Sequence, residues 1–192
     1  MRNRSMEQKL SRRQFLMCSA ATLTTAALSS YSQASIFSDF AQPAYKSLVL
    51  NNTHTGEKTS VTFWEKGKVV QDAMSEINRV LRDHRSGEVC DMDPELMDLL
   101  FWLKYQLDVP DNTPFNVISG YRSPKTNAML RRKGRNVAKN SFHMKGRAID
   151  IAIPGRSLKD VRSAALSLKG GGVGYYPGSG FIHLDTGPTR IW

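Results

Sequence analysis

The sequence of 192 residues has few cysteines and no long apolar run. Its two cysteines are Cys18 and Cys90, and Cys18 falls in an N-terminal segment that looks like a leader. One remaining cysteine cannot form an intrachain disulfide, and a metal site built from cysteine thiolates is excluded. No stretch reaches the roughly 20 apolar residues that cross a bilayer, so we expect no transmembrane span in the mature chain.

Acidic residues are also scarce, with 17 against 27 basic residues and a net charge of +10. A basic surface can bind nucleic acid, or it can lie against another polyanion such as an anionic wall polymer or a membrane. Apart from a cluster at residues 131–135 the basic residues are scattered, and no aromatic-interleaved recognition pattern accompanies them. Charge alone therefore leaves the partner open.

The first 34 residues have the three-part plan of a secretory signal in its twin-arginine form. Arg12 and Arg13 precede a Phe-Leu pair, residues 17–28 are mildly apolar, and Ser-Gln-Ala at 32–34 offers the small residues that a signal peptidase reads. The alternative is an ordinary basic amphipathic N-terminus. We expect export to the periplasm by the twin-arginine route, which carries folded proteins and argues against a nucleic-acid partner.

After a linker at 35–45, residues 46–192 are expected to form one domain. Apolar periodicity and turn signals predict a hairpin at 46–70, helices at 71–85, 93–107, 123–134 and 157–168, and strands at 115–119, 148–153, 173–176 and 181–185. Residues 135–147 are polar and predict a loop. Helices and mainly antiparallel strands mix without regular βαβ units, so the predicted class is α+β.

A candidate metal site combines residues that are distant in the sequence. A turn at 145–146 can bring His143 close to Asp150. In its strand, Asp150 lies between two alanines on one face, and the isoleucines lie on the other face. Such a carboxylate costs free energy unless it is paired or bound to a cation. With His183, these side chains form a three-ligand set for catalytic zinc with an open fourth position. Spacing alone equally allows structural histidines and a pair between Asp150 and Arg147.

Several stretches resemble the zinc D-Ala-D-Ala peptidase family, and within it the MepK-type murein endopeptidases. They are Ser-Gly-Tyr-Arg-Ser at 119–123, Ser-Phe-His-Met-Lys-Gly-Arg-Ala-Ile-Asp at 141–150, His-Leu-Asp at 183–185, the turn at 53–57 and Asp-Thr-Gly at 185–187. The resemblance covers about 45–192. It implies a small antiparallel sheet with flanking helices, the D-Ala-D-Ala peptidase/hedgehog-like zinc fold. It also implies a zinc-dependent endopeptidase that hydrolyses peptide cross-links of peptidoglycan during cell-wall growth or remodelling.

The resemblance assigns roles residue by residue. The residues that match its zinc ligands are His143, Asp150 and His183. Arg122 matches an arginine that holds the substrate carbonyl oxygen and stabilises the developing oxyanion. Ser141 matches a serine that seats the substrate, and Tyr121, in the same motif as Arg122, is expected at the substrate as well.

One departure from the family concerns the general base. Many members have Glu three residues, or His two residues, before the last ligand, where this chain has Gly180 and Phe181. Asp185 shares the strand face of His183, so it is either a substitute base or the partner that orients the His183 ring. Because the usual base is missing, a noncatalytic peptidoglycan-binding module stays an alternative. A second alternative, from the same site, is a D,D- or L,D-carboxypeptidase that acts on stem peptides.

Other residues are weaker candidates. Tyr175 and Tyr176 lie beside His183 in the last hairpin and are candidates for lining the substrate cleft. The main expected role of Trp192 is packing in the fold. Its second expected role is stacking on the cell wall. His54 is expected to be structural, and His84 is expected to end the first helix, where its imidazole can interact with the helix dipole.

Overall fold

Eight strands form one sheet in the computed structural model, which describes residues 43–134 and 137–192. The strands are β1 Tyr45–Asn52, β2 Lys58–Glu65, β3 Lys68–Val69, β4 Phe115–Ser119, β5 Ala148–Ala152, β6 Gly172–Tyr176, β7 Phe181–Asp185 and β8 Arg190–Ile191. The helices are α1 Gln71–Val80, α2 Pro94–Gln106, α3 Pro124–Arg132 and α4 Leu158–Leu168. The predicted signal peptide and residues 35–42 of the predicted linker lie outside the described residues.

The sheet order is β3-β2-β1-β4-β5-β7-β6-β8. Most neighbours are antiparallel, but β1 pairs with β4 and β6 pairs with β8 in parallel. The α+β class is confirmed, whereas the prediction of a small antiparallel sheet is wrong, because the sheet is large and mixed. Parallel neighbours need long connections, and the connection from β1 to β4 includes β2, β3, α1 and α2.

The helices begin where the sequence predicts, and α1 ends earlier. Asp93 caps α2 by accepting a hydrogen bond from the backbone N–H of Glu95, and α2 contacts β1 and α4. The sequence predicts that α1 reaches residue 85, but the helix ends at Val80. The chain turns there, and the backbone N–H of Asp83 donates a hydrogen bond to the carbonyl oxygen of Glu88. His84 therefore lies beyond the helix. No helix in residues 43–134 and 137–192 combines the length and apolarity needed to cross a bilayer.

One ion pair is buried far along the chain from the predicted ligands. Lys46 in β1 is 1% exposed, and its Nζ donates to both carboxylate oxygens of Asp98 in α2 over 2.8 and 3.0 Å. The ammonium group also lies 4.9 Å from the ring of Trp64. A buried charge is tolerated when it is paired in this way, so this contact ties α2 to the sheet.

Candidate metal centre and substrate cleft

The register of the central strands brings two of the predicted ligands together. In the antiparallel pair of β5 and β7, Asp150 lies directly opposite His183. Ile149 and Ile151, which alternate with Asp150 along β5, are fully buried. As the alternation predicts, Asp150 is on the other face of the strand, where opposite residues of paired strands are near neighbours.

The third candidate, His143, lies on a 3₁₀ turn at Phe142–Lys145, inside the stretch predicted to be a loop. Ser141 begins this turn, and its hydroxyl accepts a hydrogen bond from the backbone N–H of His143. Gly146 ends it with φ 66°, and a Cβ there would lie 2.2 Å from the carbonyl oxygen of Asp91. Only glycine fits this position, and the turn directs His143 toward β5.

In each histidine, one ring nitrogen has a hydrogen-bond partner outside the ligand set. His143 Nδ1 lies 2.7 Å from the carbonyl oxygen of Gly120. Because a carbonyl can only accept, Nδ1 carries the proton and Nε2 presents a lone pair. Likewise, His183 Nε2 donates to the Asp185 carboxylate over 3.0 Å, so in the neutral ring Nδ1 presents a lone pair.

Three electron-rich atoms therefore face one another. His143 Nε2 lies 3.2 Å from His183 Nδ1, and Asp150 Oδ1 lies 3.3 and 2.8 Å from these two nitrogens. Such an arrangement is unfavourable unless a cation lies between the atoms. Tetrahedral zinc, with bonds of about 2.0–2.1 Å, places its ligand atoms about 3.3 Å apart. The residues present fit a zinc ion in both donor type and spacing.

The electrostatics of the centre also favour a cation. Burial would raise the pKa of Asp150, but His143 and His183 hold it well below its usual value. Burial would lower the pKa of His183, but the carboxylates of Asp150 and Asp185 raise it. Both carboxylates are therefore charged, and they attract a positive charge to the centre, either a proton on His183 or a metal ion.

Asp185 is fully buried, and both of its oxygens are occupied. Arg190 donates to Oδ1 over 2.9 Å and to Oδ2 over 2.6 Å. The backbone N–H of Gly187 also donates to Oδ1, and His183 donates to Oδ2. Burial alone would raise the pKa of Asp185, but the hydrogen bonds from His183, Arg190 and Gly187 hold it well below its usual value. Of the two roles considered for Asp185, the contacts match the orientation of the His183 ring and leave no oxygen for a substrate water.

Arg122 lies beside the candidate ligands. Its Nη2 is 3.6 Å from Asp150 Oδ2 and 3.4 Å from the hydroxyl of Ser119. Burial lowers its pKa, an effect that Asp150 partly offsets. Its Nε atom is buried and has no hydrogen-bond partner among the described residues. Arg122 also lines the cavity that contains the centre, so its guanidinium can reach a substrate oxygen there.

The segment that carries Arg122 is fixed on two sides. The backbone N–H of Tyr121 donates to Leu81, and that of Arg122 donates to His143. Asp83, which is 1% exposed, accepts a hydrogen bond from the backbone N–H of Ser123 over 2.9 Å. The residues that directly follow α1 therefore position both Arg122 and, through this segment, the His143 turn.

A cavity of about 710 Å³, here called the cleft, contains the centre. Its lining includes His143, Asp150, His183, Arg122, Tyr176 and Trp192. Ser141 lines it as well, and its hydroxyl accepts the hydrogen bond from the backbone N–H of His143. Tyr121, predicted at the substrate, is not among the described residues that line the cleft. Burial raises the pKa of its phenol, and so do the nearby Cys90 and Glu88.

Sequence reasoning missed Arg190 and Asp83. An arginine near the end of a chain and an aspartate after a helix carry no distinctive pattern, so nothing in the sequence separates them from surface charges. Tyr175 and Tyr176 were considered together. Tyr176 lines the cleft, whereas Tyr175 lies under the guanidinium of Arg162 at 5.3 Å.

Comparisons with known proteins identify the family of the chain. The peptidoglycan L,D-endopeptidase MepK of Escherichia coli K12 is 44% identical over 156 residues, which cover 81% of this chain and 85% of the relative. The probable peptidoglycan L,D-endopeptidase MepK of Haemophilus influenzae is 43% identical over 158 residues, covering 82% of this chain and 84% of the relative. No solved structure gives a significant match. A family model described as peptidoglycan L,D-endopeptidase MepK matches residues 41–192, and the chain therefore belongs to this M15 peptidase family.

Proposed function

We propose that this chain is a zinc-dependent peptidoglycan endopeptidase that hydrolyses L,D cross-links between stem peptides during growth or remodelling of the cell wall. The observation that carries the proposal is the convergence of two imidazoles and one carboxylate, all buried, in a cleft that also holds Arg122. The bond type is that for which the MepK relatives are named.

The chain's own residues hold and orient the reacting groups. His143, Asp150 and His183 would hold the ion, with the rings fixed by Gly120 and Asp185. Zinc held there would supply Lewis-acid chemistry, polarising a peptide carbonyl and making water more acidic. The Arg122 guanidinium donates to the carbonyl oxygen of the bond that is cut and stabilises negative charge as it develops there.

The contacts of the cleft arginines favour an endopeptidase over a carboxypeptidase. A carboxypeptidase needs a cation for the free terminal carboxylate of its substrate. Arg190 is engaged in a two-bond pair with Asp185, and Arg122 lies beside the ligands, where the reacting carbonyl is expected. In the described part of the cleft, neither arginine is left for a terminal carboxylate.

Export to the periplasm by the twin-arginine route completes the proposal. It rests on the arginine pair and the apolar stretch in residues 1–34. The route suits a protein whose ligands converge only after folding, because the ion can be bound before export. The periplasm is also the compartment in which a peptidoglycan hydrolase meets its substrate.

The test is digestion of purified, cross-linked muropeptides with and without a chelator, followed by mass analysis of the products. His143→Ala removes one ligand, and we expect it to abolish both cleavage and stoichiometric zinc, because two ligands hold zinc poorly. His54→Ala is the matched control: His54 is exposed and stacks on His84 at 3.9 Å, outside the ligand set. It should retain zinc and activity.

Two results would overturn the assignment. Cleavage by His143→Ala at the wild-type rate would exclude the metal centre as the active site. Binding of muropeptides by the zinc-loaded wild type without any cleavage would instead support the noncatalytic wall-binding alternative.

A further inference from the structure

One wall of the cleft consists of three aromatic side chains, here called the aromatic wall: Tyr176, Phe181 and Trp192. Tyr176 and Phe181 flank the turn between β6 and β7, and their rings stack at 4.7 Å with an interplanar angle of 23°. The ring of Trp192 lies 5.2 Å from the ring of His183. The wall therefore borders the metal centre directly.

The indole of Trp192 is seated by its surroundings. A Cβ at Gly174 would lie 2.7 Å from Cε2 of the indole, so only glycine lets the ring lie against β6. The Arg190 guanidinium lies 4.9 Å from the same ring, and the backbone N–H of Trp192 donates to Val173. Trp192 is nevertheless 46% exposed. A large exposed ring held by so many contacts is a fixed part of the cleft.

Trp192 in turn fixes the hydroxyl of Tyr176. Its indole Nε1 donates a hydrogen bond to Tyr176 Oη over 2.7 Å. A phenolic hydroxyl that accepts one bond still has its own hydrogen to donate. That hydrogen has no acceptor among the described residues. Tyr176 and Arg122 both line the cleft, so both donors face the same space.

We propose that the Tyr176 hydroxyl is a catalytic hydrogen-bond donor to the substrate carbonyl oxygen, acting beside Arg122, and that Trp192 is the positioning residue that aims it. This inference rests on the proposed function. A donor held in place before the substrate arrives stabilises developing charge without reorganisation. The Tyr176 hydroxyl gives the site a second polar group near Gly180 and Phe181, the positions at which many family members have Glu or His.

The test is a set of steady-state measurements on zinc-loaded variants with cross-linked muropeptides. Tyr176→Phe keeps the ring and removes the donor, and we expect kcat to fall about 10²-fold with little change in KM. Trp192→Phe removes the indole N–H and should lower kcat less. Because both act through one hydroxyl, the double variant should be no slower than Tyr176→Phe alone. Bound zinc per chain should equal that of the wild type in every variant.

Tyr175→Phe is the matched control, since Tyr175 precedes Tyr176 and points to the opposite face of β6; its kinetics should match the wild type. An unchanged kcat in Tyr176→Phe overturns the donor role. A double variant whose loss is the product of the two single losses overturns the positioning role of Trp192. If the zinc-loaded wild type itself leaves the muropeptides uncut, the proposed function fails and this inference fails with it.

Discussion

The carboxylate of Asp185 connects the metal centre to the end of the chain, because it binds His183 on one side and Arg190 on the other. Asp185→Asn keeps the size of the side chain but removes the charge that holds both partners. We expect zinc affinity to fall about 10- to 100-fold, the usual cost of losing a partner that orients a ligand. Titration against a chelating dye measures the dissociation constant directly.

Asp98→Asn is the control for the Asp185 variant, because it also removes a charge from a buried ion pair, that with Lys46. It should destabilise the fold without changing zinc affinity, since Lys46 and Asp98 contact none of the ligands. If Asp185→Asn bound zinc as tightly as the wild type and still lost activity, Asp185 would act as a base rather than as an orienting group.

Residues differed in how far the sequence could reveal them. Asp150 was noticeable because a carboxylate between alanines in an apolar strand needs a partner. The role of Arg122 came from resemblance alone, since an arginine after a strand is otherwise an ordinary surface charge. Arg190 acts through Asp185, and a role that depends on a third residue leaves no pattern in the sequence. Tyr121 shares the motif of Arg122, yet it does not line the described part of the cleft.

The segment between β4 and α3 is the element on which the site geometry depends. Gly120 is its tightest point: a Cβ there would lie 2.5 Å from the carbonyl oxygen of Leu81, and its own carbonyl accepts the hydrogen bond from His143. We expect Gly120→Ala to lower the free energy of unfolding by about 1–3 kcal/mol, the usual cost of overpacking. It should also weaken zinc binding, because moving the segment moves the acceptor of His143.

Gly178→Ala is the control for Gly120→Ala, because a Cβ at 178 meets no atom within 4 Å. Denaturant unfolding of both apoproteins and zinc titrations of both variants give the comparison. Gly178→Ala should match the wild type within about 0.5 kcal/mol. Unchanged stability and zinc binding in Gly120→Ala would show that α1 does not position the metal centre.

The elements themselves were largely predictable, and their partners were not. The β6–β7 hairpin follows from two short strands around a turn rich in glycine. The parallel pairing of β1 with β4 joins strands about 60 residues apart, and no local pattern encodes that choice. The early end of α1 depends on a backbone turn from Asp83 to Glu88, which periodicity of apolar residues does not detect.

At the scale of the whole molecule, the chain would keep an excess of positive charge after removal of the predicted leader. The first 34 residues contain five of the 27 basic residues and one of the 17 acidic residues, so the remainder stays basic. A basic surface is attracted to anionic wall polymers through long-range electrostatics, which salt screens within about 10 Å at 0.1 M. We therefore expect this charge to assist encounter with the cell wall, and the proposed metal centre to determine the chemistry.

The leader and the metal centre make one joint prediction about where the protein acts. The twin-arginine route exports folded chains, so a chain with its arginine pair changed should fold and bind zinc but stay in the cytoplasm. We expect the double variant Arg12→Lys/Arg13→Lys to accumulate in the cytoplasmic fraction at precursor size, measured by cell fractionation and immunoblotting. Arg2→Lys/Arg4→Lys, which changes two arginines of the same segment outside the pair, should reach the periplasm. If both variants were exported equally, the pair would not be the signal, and the proposed route would have to be abandoned even if purified protein cuts muropeptides.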